Sequence, residues 1–119
     1  MQQRQIKFRV WDPTMGGGFW HWSPEGPDFK LDVALRLGRP VEQFTGLLDK
    51  NGKEIYEGDV VEKDGKRGQV WYNENAARFY IDPSAGLDFD IAYAHELLLV
   101  GDIHRNPELL ESGATQQEA

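Results

Sequence analysis

The 119-residue chain contains no cysteine, two methionines and three histidines. Without thiols it can build neither a disulfide framework nor a thiolate metal centre, and it has no cysteine nucleophile. Asp102 and His104 would share a strand face, with His95 and Glu96 nearby, but a closed metal site needs about four convergent ligands. The histidines therefore read as surface residues and no metal is expected. No run approaches the roughly 18 apolar residues of a membrane span, and Met1-Gln2-Gln3-Arg4-Gln5 precedes no apolar stretch of signal-peptide type. These absences predict a cytoplasmic protein with no membrane partner. No serine lies in a Gly-x-Ser-x-Gly elbow, and Gly16-Gly17-Gly18 lacks the Lys-Ser/Thr that completes a phosphate-binding loop. Acid pairs such as Asp88 and Asp90 carry little weight in so acidic a chain. Neither catalysis nor a cofactor is expected.

What the chain does have is negative charge and aromatic area. Thirteen basic and twenty acidic residues give a net charge of −7. Residues 1–60 hold 8 basic and 9 acidic groups, whereas residues 61–119 hold 5 and 11. The acidity thus belongs to the C-terminal half. Such a balance disfavours nucleic acid as a partner and favours solubility or the docking of a basic protein. Four Trp, four Tyr and six Phe supply the apolar area for one core.

Turn chemistry divides the chain into short strands. Ile6, Phe8 and Val10 alternate with Lys7, Arg9 and Trp11, a half-buried strand that Asp12-Pro13 ends. Phe19-Trp20-His21-Trp22 reads as a second strand. Leu31, Val33, Leu35 and Leu37 recur at spacing two, which favours a strand over a helical turn. Val41 to Leu48 and Glu54 to Val61 flank a hairpin. An Asn51-Gly52 two-residue turn would set like charges opposite one another, so a three-residue loop is preferred, with a type I turn opened by Asp49 and left-handed Gly52. That register places Asp49 opposite Lys53 and Leu47 opposite Ile55. The Asp64-Gly65 turn pairs Glu62 with Arg67; Gln69 to Tyr72, Arg78 to Ile81 and Leu97 to Ile103 supply further strands. Asn106 and Pro107 predict a short helix over 107–111 with Asn106 as its cap. The fold expectation is mainly β, a strongly bent antiparallel sheet or small SH3-like barrel with a short C-terminal helix. Residues 1–111 form a single domain in this reading, and residues 112–119 a disordered tail.

Four blocks resemble the YopX family of phage and prophage proteins: Ile6-Lys7-Phe8-Arg9-Val10-Trp11-Asp12; the long run from Gln43-Phe44-Thr45-Gly46 to Glu57-Gly58-Asp59-Val60-Val61; Gly68 to Tyr80; and Val100-Gly101-Asp102-Ile103-His104 to Leu110. They cover under half of the chain. The resemblance implies a phage-derived, mainly β protein without an established biochemical role and brings no catalytic residues. Glu57-Gly58-Asp59 is also similar to the entry of small SH3-like barrels, a likeness of fold alone. Its structural reason is sufficient: glycine permits a positive φ, and Asp accepts hydrogen bonds from turn amides.

Two readings of function follow. In the first, a phage accessory protein binds a host or phage protein, with no chemistry implied, and forms a homo-oligomer; Trp20 and Trp22, on one side of a strand beside a glycine loop, are the contact pair. In the alternative, a nucleotide- or nucleic-acid-binding β-barrel module uses its aromatics together with Arg4, Lys7, Arg9, Arg36 and Arg39, provided these converge on one concave face.

Overall fold

A computed structural model describes residues 5–14 and 16–111. Eight strands form two four-stranded antiparallel sheets. The first contains β1 (Phe8–Asp12), β2 (Gly18–Trp22), β3 (Val41–Leu48) and β4 (Glu54–Tyr56), in the order β2-β1-β3-β4. The second contains β5 (Asp59–Lys63), β6 (Lys66–Asn73), β7 (Arg78–Asp82) and β8 (Leu98–Asp102), in the order β7-β6-β5-β8. One sheet curls into a half-barrel, so the expected mainly β, strongly bent architecture is the one observed.

The turns form for the reasons their residues supply. Gly52 has φ +81°, its N–H donates to the Asp49 carbonyl at 3.0 Å, and the Asp49 N–H donates to the Lys53 carbonyl at 2.8 Å. Leu48 pairs with Glu54, the register the three-residue loop requires. A bulge then shifts the ladder so that Phe44 meets Tyr56. Thr45 Oγ1 holds that bulge, donating to the Ile55 carbonyl at 2.7 Å and accepting from the Leu47 N–H. Asp64 and Gly65 both have positive φ, a conformation suited to a tight hairpin, and Glu62 pairs with Arg67.

Three expectations need correction. Residues 41–61 are not one continuous hairpin, because within that stretch β3 pairs with the short β4 alone, and Glu57-Gly58 carries the chain into the second sheet as β5. The stretch with apolar residues at spacing two is a helix, α1 (Leu31–Arg36). Ala34 is buried there while Leu35 and Leu37 are exposed, so the spacing did not mark a buried face. Its helical bonds, such as those from the Ala34 N–H to the Lys30 carbonyl and from the Leu37 N–H to the Val33 carbonyl, are local, whereas a strand would have needed a partner ladder. The C-terminal helix is a single 3₁₀ turn, Pro107–Leu110, and Asn106 does not cap it; its Oδ1 instead accepts from the Asp102 N–H. The proposed tail at 112–119 lies outside the described residues.

The main core lies on the second sheet. Val61, Val70 and Ile81 line its inner face, and Ile55 enters from β4. Leu87, Ile91, Ala94 and Leu97 close over them from the irregular segment after β7. No helix among the described residues is long and apolar enough to cross a membrane.

Candidate functional site

The alternation in β1 puts Arg9 opposite Val10, and both are buried, so its polar face is not a solvent face. Arg9 and Glu42 are cross-strand partners on β1 and β3. The Arg9 Nε donates to Glu42 Oε1 at 2.8 Å, and Nη2 donates to Asp59 Oδ1 at 2.8 Å and to the Glu57 carbonyl at 3.1 Å. One guanidinium thus joins the first sheet to the first residue of β5 in the second. Asp59 Oδ2 accepts the Tyr56 N–H at 2.7 Å, and Glu42 Oε2 lies 2.8 Å from His104 Nε2. Among the described residues no buried side-chain nitrogen or oxygen lacks a partner.

Two Gly-Asp steps shape this network. Gly58 has φ +85°, and a Cβ there would stand 2.5 Å from Glu42 Oε2, so only glycine lets that carboxylate lie across the turn. Gly101 leaves equivalent room for Asn106, whose Oδ1 would sit 2.5 Å from an added Cβ. Asp102 then accepts the N–H groups of His104 and Arg105 at 3.0 and 2.9 Å, and the turn so formed aims His104 at Glu42. The expected structural role of Gly58-Asp59 is met, with a positive φ at the glycine and the Tyr56 amide on the Asp; Gly101-Asp102 resembles it in its acceptor role without a positive φ. Trp11 stacks on His104 with centroids 5.0 Å apart, and the Arg9 guanidinium lies 4.0 Å from the Phe19 ring and 4.7 Å from the Tyr56 ring.

Burial sets the electrostatics. It pushes the Asp59 carboxyl up to about 6 against the pull of Arg9 and the Tyr56 amide. It also raises Glu57 and carries the Tyr56 hydroxyl to about 12. His21 is lowered by burial and by the charge of Arg9. Two buried carboxylates around one guanidinium leave surplus negative charge, and removal of one partner from such a group costs about 3–5 kcal/mol. Chemically the cluster is a clasp between sheets, with each buried acid already occupied.

The residues singled out from sequence fall in different places. Trp20 is 51% exposed, with its Nε1 donating to Asp12 Oδ2 at 2.9 Å. Hydrogen bonds from the Thr14 hydroxyl, Trp20 and the Thr14 amide lower the Asp12 carboxyl to about 2. Trp22 shares that side of β2 but is half-buried against Phe8, centroids 5.7 Å apart. The basic residues that are described do not converge. Lys7 pairs with Glu54, Arg9 is clasped, Arg36 pairs with Asp32 along α1 at 3.7 Å, and Arg39 lies beside Trp20 and Leu37. Arg4 lies outside the described residues. Glu42 and Asp59 were not foreseen as site residues, and Asp102 was weighed only beside His104 as a metal edge; the repeated Gly-Asp step was the local signal for the two aspartates, and Glu42 had none. His104 belongs to the clasp, and among the described residues no three His, Asp or Glu side chains are arranged to hold a metal.

Two open surfaces adjoin these residues. An apolar groove of about 300 Å³ runs between α1 and the outer side of β1 and β2, lined by Val10, Trp20, Phe29, Val33, Ala34 and Leu37, with Arg39 at its edge. A polar cleft of about 580 Å³ opens beside the clasp, between Phe19, Lys53, the backbone of β8 and Arg105.

No curated protein matches the chain. Among solved structures it is similar to protein EF1440 from Enterococcus faecalis, at 26% identity and a TM-score of 0.60, over 91% of this chain and 99% of that one. The family model described as YopX protein matches residues 18–111. Arg9 and Trp11 precede that span, whereas Glu42, Gly58, Asp59 and His104 lie within it. Matched over most of its length, the chain belongs to the YopX protein family.

Proposed function

We propose that this chain is a phage- or prophage-derived accessory protein that works in the host cytoplasm by binding a host or phage protein and that catalyses no reaction of its own. The observation that carries the reading is the apolar groove beside α1. Trp20, Leu35 and Leu37 are 51%, 59% and 65% exposed on and around it, whereas the buried acids of the clasp already have partners. Exposed aromatic and aliphatic side chains grouped on one surface are the usual mark of a protein interface. The occupant that fits is an apolar segment of a partner polypeptide, and in this reading the protein also self-associates.

The test uses wild type and the double variant Trp20→Ser/Leu37→Ser as baits in nuclease-treated lysates of infected or lysogenic cells, together with light-scattering masses. A partner held by wild type and released by the variant, at unchanged melting temperature, supports the reading. Identical captured proteins and identical mass for both baits overturn it.

A further inference from the structure

The polar cleft differs from the groove in what its lining has left to offer. Asp59 accepts through both oxygens, from Arg9 and from the Tyr56 amide. Asp102 Oδ1 accepts from two amides, and its Oδ2 lies 3.9 Å from Arg105 Nη1. Glu42, behind Arg9, is held by Arg9 and His104. The acceptors of the cleft are therefore largely used up, while its donors are not. Arg9 is 6% exposed, and its Nη1 has no hydrogen-bond partner among the described residues. No fully buried side-chain nitrogen among them is unpaired, so this Nη1 reaches solvent, and the cleft that Arg9 lines is its opening. The Lys53 ammonium has no ion-pair partner among the described residues, and the half-exposed Arg105 guanidinium donates no hydrogen bond there. Phe19 fixes the two guanidiniums relative to one another, with Arg9 4.0 Å and Arg105 5.2 Å from its ring.

We propose that this cleft binds a small ligand through one terminal oxyanion, a carboxylate or a phosphate, that accepts from Arg9 Nη1 at the floor and from Lys53 and Arg105 at the mouth. Guanidinium and ammonium donors bind oxyanions through charge-assisted bonds, and a donor held in place by Phe19, Glu42 and Asp59 loses little freedom on binding. Lining charges nearly balance, with Arg9, Lys53 and Arg105 against Asp59, Asp102 and the deeper Glu42. That balance fits a single oxyanion and not a polyanion, so the site is separate from any nucleic-acid surface. It is also independent of the protein-binding reading, because it lies on the opposite face of β1 and β2.

The experiment is a ¹H–¹⁵N titration of the full chain with sodium phosphate and, in parallel, sodium acetate, each against sodium chloride at equal ionic strength. Saturable shifts of the Leu99 to Asn106 amides and of Arg9 Nε are expected with at least one of the two. Saturation by phosphate alone assigns a phosphate ester, and by acetate alone a carboxylate. Lys53→Ala/Arg105→Ala should bind at least about tenfold more weakly, while Lys50→Ala, which removes the same kind of charge outside the cleft, should bind like wild type. Single Arg105→Ala serves if the double variant loses stability. No saturation with either anion, shifts scattered over the surface, or equal binding by wild type and the cleft variants would overturn the proposal.

Discussion

Asp49 is the residue whose loss should be felt furthest from its own position. It is 4% exposed at the tip of the β3–β4 hairpin. Its Oδ1 accepts the N–H groups of Asn51 and Lys53, each at 2.8 Å, and its Oδ2 accepts that of Leu99 on β8 at 2.9 Å. One carboxylate therefore shapes the turn and ties it to the other sheet, helped by the Lys50 N–H donating to the Leu97 carbonyl. Asp49→Asn keeps the shape but offers one good acceptor and turns an NH₂ toward a third donor. A hydrogen bond to a charged group contributes about 1.5–3 kcal/mol, and the Asn51 and Lys53 amides can turn to water, so we expect a loss of about 2 kcal/mol for Asn and about 3 for Ala. Urea unfolding at pH 7 should show a lower midpoint at unchanged slope. Burial opposes ionisation of Asp49, but the amides of Leu99, Lys53 and Asn51 outweigh it and hold the carboxyl below its ordinary 3.8. Its contribution is thus present above pH 3.8 and lost as pH falls through the lower folded value, so the gap between wild type and Asp49→Asn should narrow in acid. A destabilisation under about 0.5 kcal/mol at pH 7, or a gap indifferent to pH, would refute the account.

Gly58→Ala should cost about 2–4 kcal/mol in urea unfolding, since it combines a positive φ with a clash against Glu42, whereas Gly65→Ala, with φ +77° and open space around it, should cost about 1. Asp59, raised to about 6, lets the folded chain hold a proton that the unfolded chain releases above 3.8; the resulting stability is full below pH 3.8 and is lost as pH rises through about 6. A ¹³C titration of the Asp59 carboxyl should show that midpoint, and one below 4 would contradict the burial argument. Trp22→Ser should lower the melting temperature more than Trp20→Ser, because Trp22 packs on Phe8 while Trp20 is half exposed; calorimetry of the two single variants decides.

The parts of this fold that could be read in advance are those whose causes are local. Asp49 with Gly52, and Asp64 with Gly65, carry their turn geometry within a few residues, so register followed from turn chemistry at both hairpins. The α1 segment could not be read that way, because six residues with apolar side chains at spacing two suit either structure until the packing of Ala34 decides. The clasp is less local still. Arg9 meets Glu42, Asp59 and Glu57 across 33, 50 and 48 positions, and His104 meets Glu42 across 62. Glu57 and Asp59 do fall within one short motif, but nothing in that window points to Arg9, Glu42 or His104.

The same nonlocality governs the surroundings of the two tryptophans. Alternation in β2 does separate Trp20 and Trp22 from Phe19 and His21, but it does not say which other elements cover each side. The side that carries Arg9 is covered by Phe19 and Tyr56, and its charge is met by Glu42 and Asp59. The other face is covered in part by α1 and by the Phe8–Trp22 contact. What remains open is the groove between α1 and the strands at Val10 and Trp20, with Trp20 51% exposed at it, and it is this gap, more than the alternation, on which the proposed docking rests.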